Sequence, residues 1–120
     1  MPRSIAAYLA DILEACEAID EVMTGVDLAA YQNTRYIRSS VEREFIIIGE
    51  AVKSLGRVAP DLVEGISHAV MIVGFRNVLT HDYAAVDDET VYALARSDLA
   101  ELRRECTILL EHTGEADLQP

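Results

Sequence analysis

Apolar residues recur every three or four positions along most of this chain. Nowhere do they alternate convincingly at every second position, which restricts the fold to packed helices. Ile5, Leu9, Ile12, Leu13, Cys16, Ile19 and Met23 form one such stripe and predict an amphipathic helix over roughly residues 4–24. Ser4 can cap its start and Gly25 can end it. Ile37, Val41, Phe45, Ile48, Val52 and Leu55 predict a second helix from about Thr34 to Arg57, with Ile46 and Ile47 widening its apolar surface. Residues 26–33 between the two read as a turn-rich link, and Pro60 introduces a turn or short helix at 61–66. Ser67 can cap a third helix reaching about His81. Asp87 and Asp88 can cap a fourth, and Asp98 a fifth or a continuation to about His112. Residues 114–120 read as a frayed tail. The fold class is all-α: one domain over residues 1–120, an up-and-down bundle of four to five helices.

A chain of 120 residues with 51% apolar content can build one core without staples. Cys16 and Cys106 are far apart in sequence and lack a C-x-x-C or histidine-rich setting, so they read as buried core thiols. No segment has the pattern of a signal peptide, and runs such as Phe45–Gly49 are far too short to span a bilayer. The expectation is a soluble, cytoplasmic protein with no membrane partner.

The net charge of −11 excludes a broad basic face for nucleic acid. Its distribution is uneven. Residues 1–34 carry net −5, residues 77–120 carry net −7, and residues 35–76 carry net +1. The middle third is therefore the only part that does not repel anions, and a phosphate-bearing ligand is expected there.

Two features of this middle part stand out. Gly49 lies inside the second helix at a propensity cost of about 1 kcal/mol, which predicts a neighbouring backbone close by. The third helix is apolar on two sides. On a helical wheel Met71, Ile72, Phe75, Val78 and Leu79 share a core face. The opposite arc holds Ala69, Val70, Val73 and Gly74, then Arg76, Asn77, Thr80 and His81. A helix apolar all round is buried on more than one side. The expectation is a symmetric interface with a second copy, a homodimer. The alternative is a helix central to a single chain.

Arginine grips phosphate through paired hydrogen bonds and stays charged. Histidine gives or takes a proton near neutrality. Arg76 and His81 together suit cleavage of an RNA phosphodiester, in which the 2′-OH is the internal nucleophile. Two histidines from two chains could share the acid and base roles. That chemistry calls for no metal or cofactor, and the scattered acids offer no H-E-x-x-H or comparable ligand spacing. An arginine and a histidine five apart are by themselves a weak signal, equally a polar helix end.

The full segment R-N-V-L-T-H-D-Y, residues 76–83, resembles the R-x-x-x-x-H-x-Y signature of HEPN-domain proteins, specifically the HepT-like toxin family. Val41-Glu42-Arg43 and Gly49-Glu50-Ala51 also resemble that family's helix carrying E-R and G-E-A. The likeness spans about residues 5–110. The family often carries a tryptophan before the third helix, and this chain has none.

The resemblance implies a metal-independent endoribonuclease toxin of a toxin–antitoxin pair. Arg76 and His81 would be its catalytic pair and Asn77 their support, in a cleft completed by a homodimer. It implies that Tyr83 is the residue modified with AMP by a minimal nucleotidyltransferase antitoxin. The substrate would be RNA.

A non-catalytic HEPN module that pairs with a nucleotidyltransferase or holds a nucleotide is the alternative, and the acidic composition favours it. A third is a structural dimer whose Arg76 and His81 are buried and paired within one chain. Arg43, Glu50 and Thr80 are candidates to line the cleft. Glu50 reads equally as an ordinary helix carboxylate, and Arg43 more simply as half of a surface ion pair. His68, His112 and the remaining tyrosines carry no chemistry on this reading. Asp82, Asp87, Asp88 and Glu89 read as caps and solvated charge.

Overall fold

The computed structural model describes residues 3–118, and among them there is no strand. The first helix, α1 (Ile5–Met23), starts where Ser4 accepts a hydrogen bond from the Ala7 amide at 3.1 Å. It stops before Gly25, whose φ of 74° only glycine adopts without strain. The expected link at 26–33 is largely helical instead. Asp27 accepts from the Ala30 amide at 2.8 Å and starts α2 (Leu28–Asn33), and Tyr31 anchors that turn in the core. The D-L-A-A sequence carried this signal, a capping acid followed by good helix formers.

The long α3 (Arg35–Val58) follows, then one turn of α4 (Pro60–Val63). Next come α5 (Ala69–His81), a 3-10 turn at Tyr83–Ala85, α6 (Asp88–Ser97) and α7 (Leu99–Leu118). Ser67 does not cap α5. Its amide donates to the Glu105 carboxylate of α7 at 3.2 Å, which pins the α4–α5 connection, and His68 takes the cap position without a side-chain bond. Helix α7 continues to Leu118, past the expected end near His112. Of the tail expected at 114–120, residues 119–120 lie outside the described residues.

The bundle is organised around α1 and α3, which share the largest contact. α7 covers α1 from the other side. Leu9, Ile12, Cys16 and Ile19 of α1 are fully buried with Val41, Ile48, Val52 and Leu55 of α3. Each such side chain contributes on the order of 1.5–3 kcal/mol of transfer free energy. Cys16 and Cys106 are free and buried, and burial pushes both thiols up to about 12, which makes them inert packing groups. No described helix is long and apolar enough to cross a membrane.

At the α2–α6 end, partial burial and the nearby Asp88 carboxylate hold Glu42 above the ordinary carboxylate range, against the pull of Arg38. A carboxyl raised on folding stabilises the fold below its unfolded value, and that stability is lost as pH rises through the folded value. Glu42→Gln should therefore raise the melting temperature at pH 7. The gain should shrink toward pH 4, where Glu42 is itself protonated. Thermal melts at the two pH values check this, and a gain equal at both would contradict it.

Candidate active site

Helix α5 packs on the bundle almost entirely through α3. The T-shaped pair Phe45–Phe75, with ring centres 5.4 Å apart, forms part of that contact, with half-buried Ile72 and buried Leu79 alongside. The expected core face is thus narrower than the wheel suggests. Met71 is 71% and Val78 38% exposed, because only one helix covers α5 and it reaches only one stripe.

Of the opposite arc, Ala69, Val73 and Arg76 are half-buried against the rest of the chain, while Val70, Gly74, Asn77, Thr80 and His81 are exposed. Val70 (87% exposed), Met71, Gly74, Asn77, Val78 and His81 together form one solvent-facing surface. Contiguous exposed apolar side chains such as Val70, Met71 and Val78 are a common mark of an interaction surface.

Arg76 does not stand at the margin of that surface as the wheel suggests. Its stem lies against Gly49 of α3, so closely that a Cβ built on Gly49 would sit 2.2 Å from the Arg76 Cβ and 3.3 Å from the Ile72 carbonyl oxygen. The close approach expected at Gly49 is therefore present, and its chief occupant is the arginine. Burial of the stem leaves the Arg76 side chain only 18% exposed.

The guanidinium is held at two corners. Nη2 donates to Glu50 Oε1 at 3.2 Å and Nη1 donates to Asn77 Oδ1 at 3.0 Å. Nε is buried and without a partner. Thr80 donates from Oγ1 to the Arg76 carbonyl at 3.0 Å, a local bond that turns its polar end inward.

The structure thus brings together Arg76, Asn77, Glu50 and Thr80. His81 ends α5, exposed, and makes no hydrogen bond or ion pair among the described residues. It lies about 140° around the helix axis from Arg76. Tyr83 follows in the 3-10 turn, 79% exposed.

Arg43 is exposed on α3 and forms no ion pair among the described residues, contrary to the simpler reading of it. The expectation that Arg76 and His81 are buried and paired within one chain holds for Arg76 and fails for His81. Asp87 does sit at the start of α6, but its carboxylate accepts from Thr90 Oγ1 at 2.6 Å rather than from a backbone amide.

An apolar groove of about 320 Å³ opens between α3, α5, α6 and α7, floored by Phe45, Ile48, Ile72, Phe75 and Leu102. Neither Arg76 nor His81 lines it. Sequence reasoning did not single out Lys53 and Arg57, exposed on the same side of α3 as Glu50. The seven-residue register of Arg57 with Glu50 and Arg43, and Lys53 one turn from Glu50, were the available signals.

An all-helical bundle that carries an arginine and a histidine five apart at the end of a surface helix defines the HEPN class of domain. Within that class the chain belongs to the HepT-like family, whose model, described as Ribonuclease HepT-like, matches residues 12–109. Among curated proteins it is similar to three from Methanocaldococcus jannaschii. Putative RNase MJ0125 is 32% identical over 94% of this chain and 97% of its own length. Putative RNase MJ1216 is 32% identical over 86% of this chain and 84% of its own. Putative RNase MJ1380 is 29% identical over 89% of this chain and 97% of its own. No solved structure gives a significant match.

Proposed function

We propose that the chain is a metal-independent endoribonuclease toxin that works as a homodimer. The observation that carries this reading is the contrast on α5 between an arginine held in place by Glu50 and Asn77 and an exposed histidine without a hydrogen bond or ion pair among the described residues. A second copy meeting the exposed face of α5 about a twofold axis would bring two arginines and two histidines to one cleft.

In that cleft a neutral His81 takes the proton of the 2′-OH. The 2′ oxygen attacks phosphorus and the bond to the 5′ oxygen breaks. The protonated His81 of the second copy gives its proton to the departing 5′ oxygen. The products are a 2′,3′-cyclic phosphate and a 5′-OH, so electrons and protons balance without a further reactant. The Arg76 guanidinium would neutralise the charge that builds on the phosphoryl oxygens.

Tyr83 lies two residues beyond His81 with its side chain in solvent, which suits a control point. A minimal nucleotidyltransferase antitoxin would transfer AMP from ATP to the tyrosine oxygen, releasing pyrophosphate. The added bulk and negative charge would close the cleft to RNA. The family and its RNase-named relatives support the ribonuclease part of this reading. The acidic composition favours a second one, a module that pairs with the nucleotidyltransferase and cuts nothing.

The experiment is co-expression with the nucleotidyltransferase encoded beside the gene, followed by intact mass and an RNA-cutting assay. The account expects AMP on Tyr83, loss of cutting on modification, and a Tyr83→Phe chain that keeps cutting in the presence of the enzyme. A chain that binds the nucleotidyltransferase yet leaves RNA intact before modification would favour the second reading.

A further inference from the structure

The chain holds ten lysines and arginines against twenty-one acids, so most cations should find a carboxylate. Arg3, Arg38, Arg76 and Arg103 do, and Arg96 donates to the Val26 carbonyl. Of the other five, which form no ion pair among the described residues, Arg35, Arg43, Lys53 and Arg57 belong to α3 and Arg104 to α7. They are all exposed.

At about 100° per residue the four unpaired cations of α3 fall within an arc of about 80°, on the side of α3 away from its buried stripe. Glu50 lies in the same arc, and its carboxylate is taken up by Arg76. From Arg35 to Arg57 the arc runs roughly 33 Å along the helix. Tyr36, 74% exposed, borders it at the Arg35 end. Tyr36, Arg43, Glu50 and Arg57 follow one another at seven-residue steps, which keeps them within about 60° of one another on a straight helix.

An unpaired basic line with an exposed aromatic at one end is the pattern that follows a single-stranded nucleic-acid backbone and stacks a base. Glu50 lies within the line and holds the Arg76 guanidinium beside it, so a strand on the line passes close to the arginine. The acids on the rest of the surface would repel the strand from other paths.

We propose that this face of α3 is the track for single-stranded RNA, with Arg43, Lys53 and Arg57 on successive phosphates to either side of Arg76 and Tyr36 under a base. The proposal rests on the ribonuclease reading for its substrate, and it gives that reading an RNA path of several nucleotides rather than a single bond.

The test uses the full chain and a fluorescein-labelled 2′-O-methyl RNA of about twelve nucleotides, which binds but lacks the attacking hydroxyl, with unmodified RNA for cutting. Removing three phosphate contacts with Arg43→Gln, Lys53→Gln and Arg57→Gln should weaken binding roughly tenfold or more. It should also lower the slope of log affinity against log salt by about 2. Tyr36→Ala should weaken binding about tenfold without changing that slope. The loss of cutting should grow as the RNA lengthens from two nucleotides to twelve.

Unchanged affinity and salt slope in the triple variant would overturn the track, as would a wild-type chain that does not bind the oligonucleotide. Equal displacement of the RNA by polyglutamate would overturn it too, marking the face as a site for an acidic protein. If the wild type binds through these residues but cuts nothing, the ribonuclease reading fails and the track stands.

Discussion

Gly49→Ala is expected to damage both stability and activity, although alanine is the better helix former. In an exposed helix the change would gain about 1 kcal/mol. Here the new methyl would sit 2.2 Å from the Arg76 Cβ and 2.7 Å from its Cγ. The obstruction is the root of a side chain, not its flexible end, so α3 and α5 must separate. Overpacking of this kind costs about 1–3 kcal/mol, which outweighs the propensity gain.

The separation would also carry Arg76 away from Glu50, so its guanidinium loses the partner on α3 that fixes its position. Misplacing a catalytic group by about 1 Å can cost on the order of a hundredfold in rate. Gly56 lies one to two turns further along the same helix with nothing within 4 Å of its would-be Cβ. Gly56→Ala should therefore be neutral or stabilising and leave cutting intact. Urea unfolding and RNA cutting by the two variants read the difference. Equal behaviour would show that the Gly49–Arg76 contact does not matter.

His81→Ala should remove cutting while leaving the fold in place. The side chain is exposed and makes no hydrogen bond or ion pair among the described residues, so its loss should change stability by no more than about 0.5 kcal/mol. Loss of a general acid or base costs about 10²–10⁴ in rate. A site that uses both histidines of a dimer would lose both functions with this one substitution.

Arg76→Ala should also stop cutting, but less cleanly. It removes a half-buried stem from the α3–α5 contact and leaves Glu50 without its cation, so some loss of stability is expected with it. Single-turnover cutting alongside thermal melts separates the two cases. His81→Ala with full activity would remove the histidine from the mechanism.

Much of the fold was legible because burial follows helical period. The stripes on α1 and α3 set both helices to within a residue or two, and Ser4 and Gly25 marked the two ends of α1 as capping chemistry requires. Where local rules compete with tertiary contact, the reading failed. Ser67 looked like a cap, yet the Glu105 carboxylate of α7, far away in sequence, takes its amide. No local pattern could anticipate that.

The wheel of α5 placed Ile72, Phe75 and Leu79 toward the core as found, but it could not say how many helices would cover them. It therefore buried Met71 and Val78, which α3 does not reach. At the site, Gly49 announced a close approach without saying what approached. The motif named Arg76 and His81, and the structure added that the first is held within the chain and the second is not. The paired Glu50 and the unpaired Arg43 reversed the simpler reading of one of them. Which cation finds an acid depends on the neighbouring helix, not on its own.

The central claim is that Arg76 and His81 cut RNA through its own 2′-hydroxyl. It is tested most directly by exposing the purified, unmodified protein to a single-stranded RNA and to the all-deoxy strand of the same sequence, both in excess chelator. The account predicts that the RNA is cut to 2′,3′-cyclic phosphate and 5′-hydroxyl ends while the deoxy strand survives. RNA left intact by the protein, or cutting of both strands alike, would contradict it.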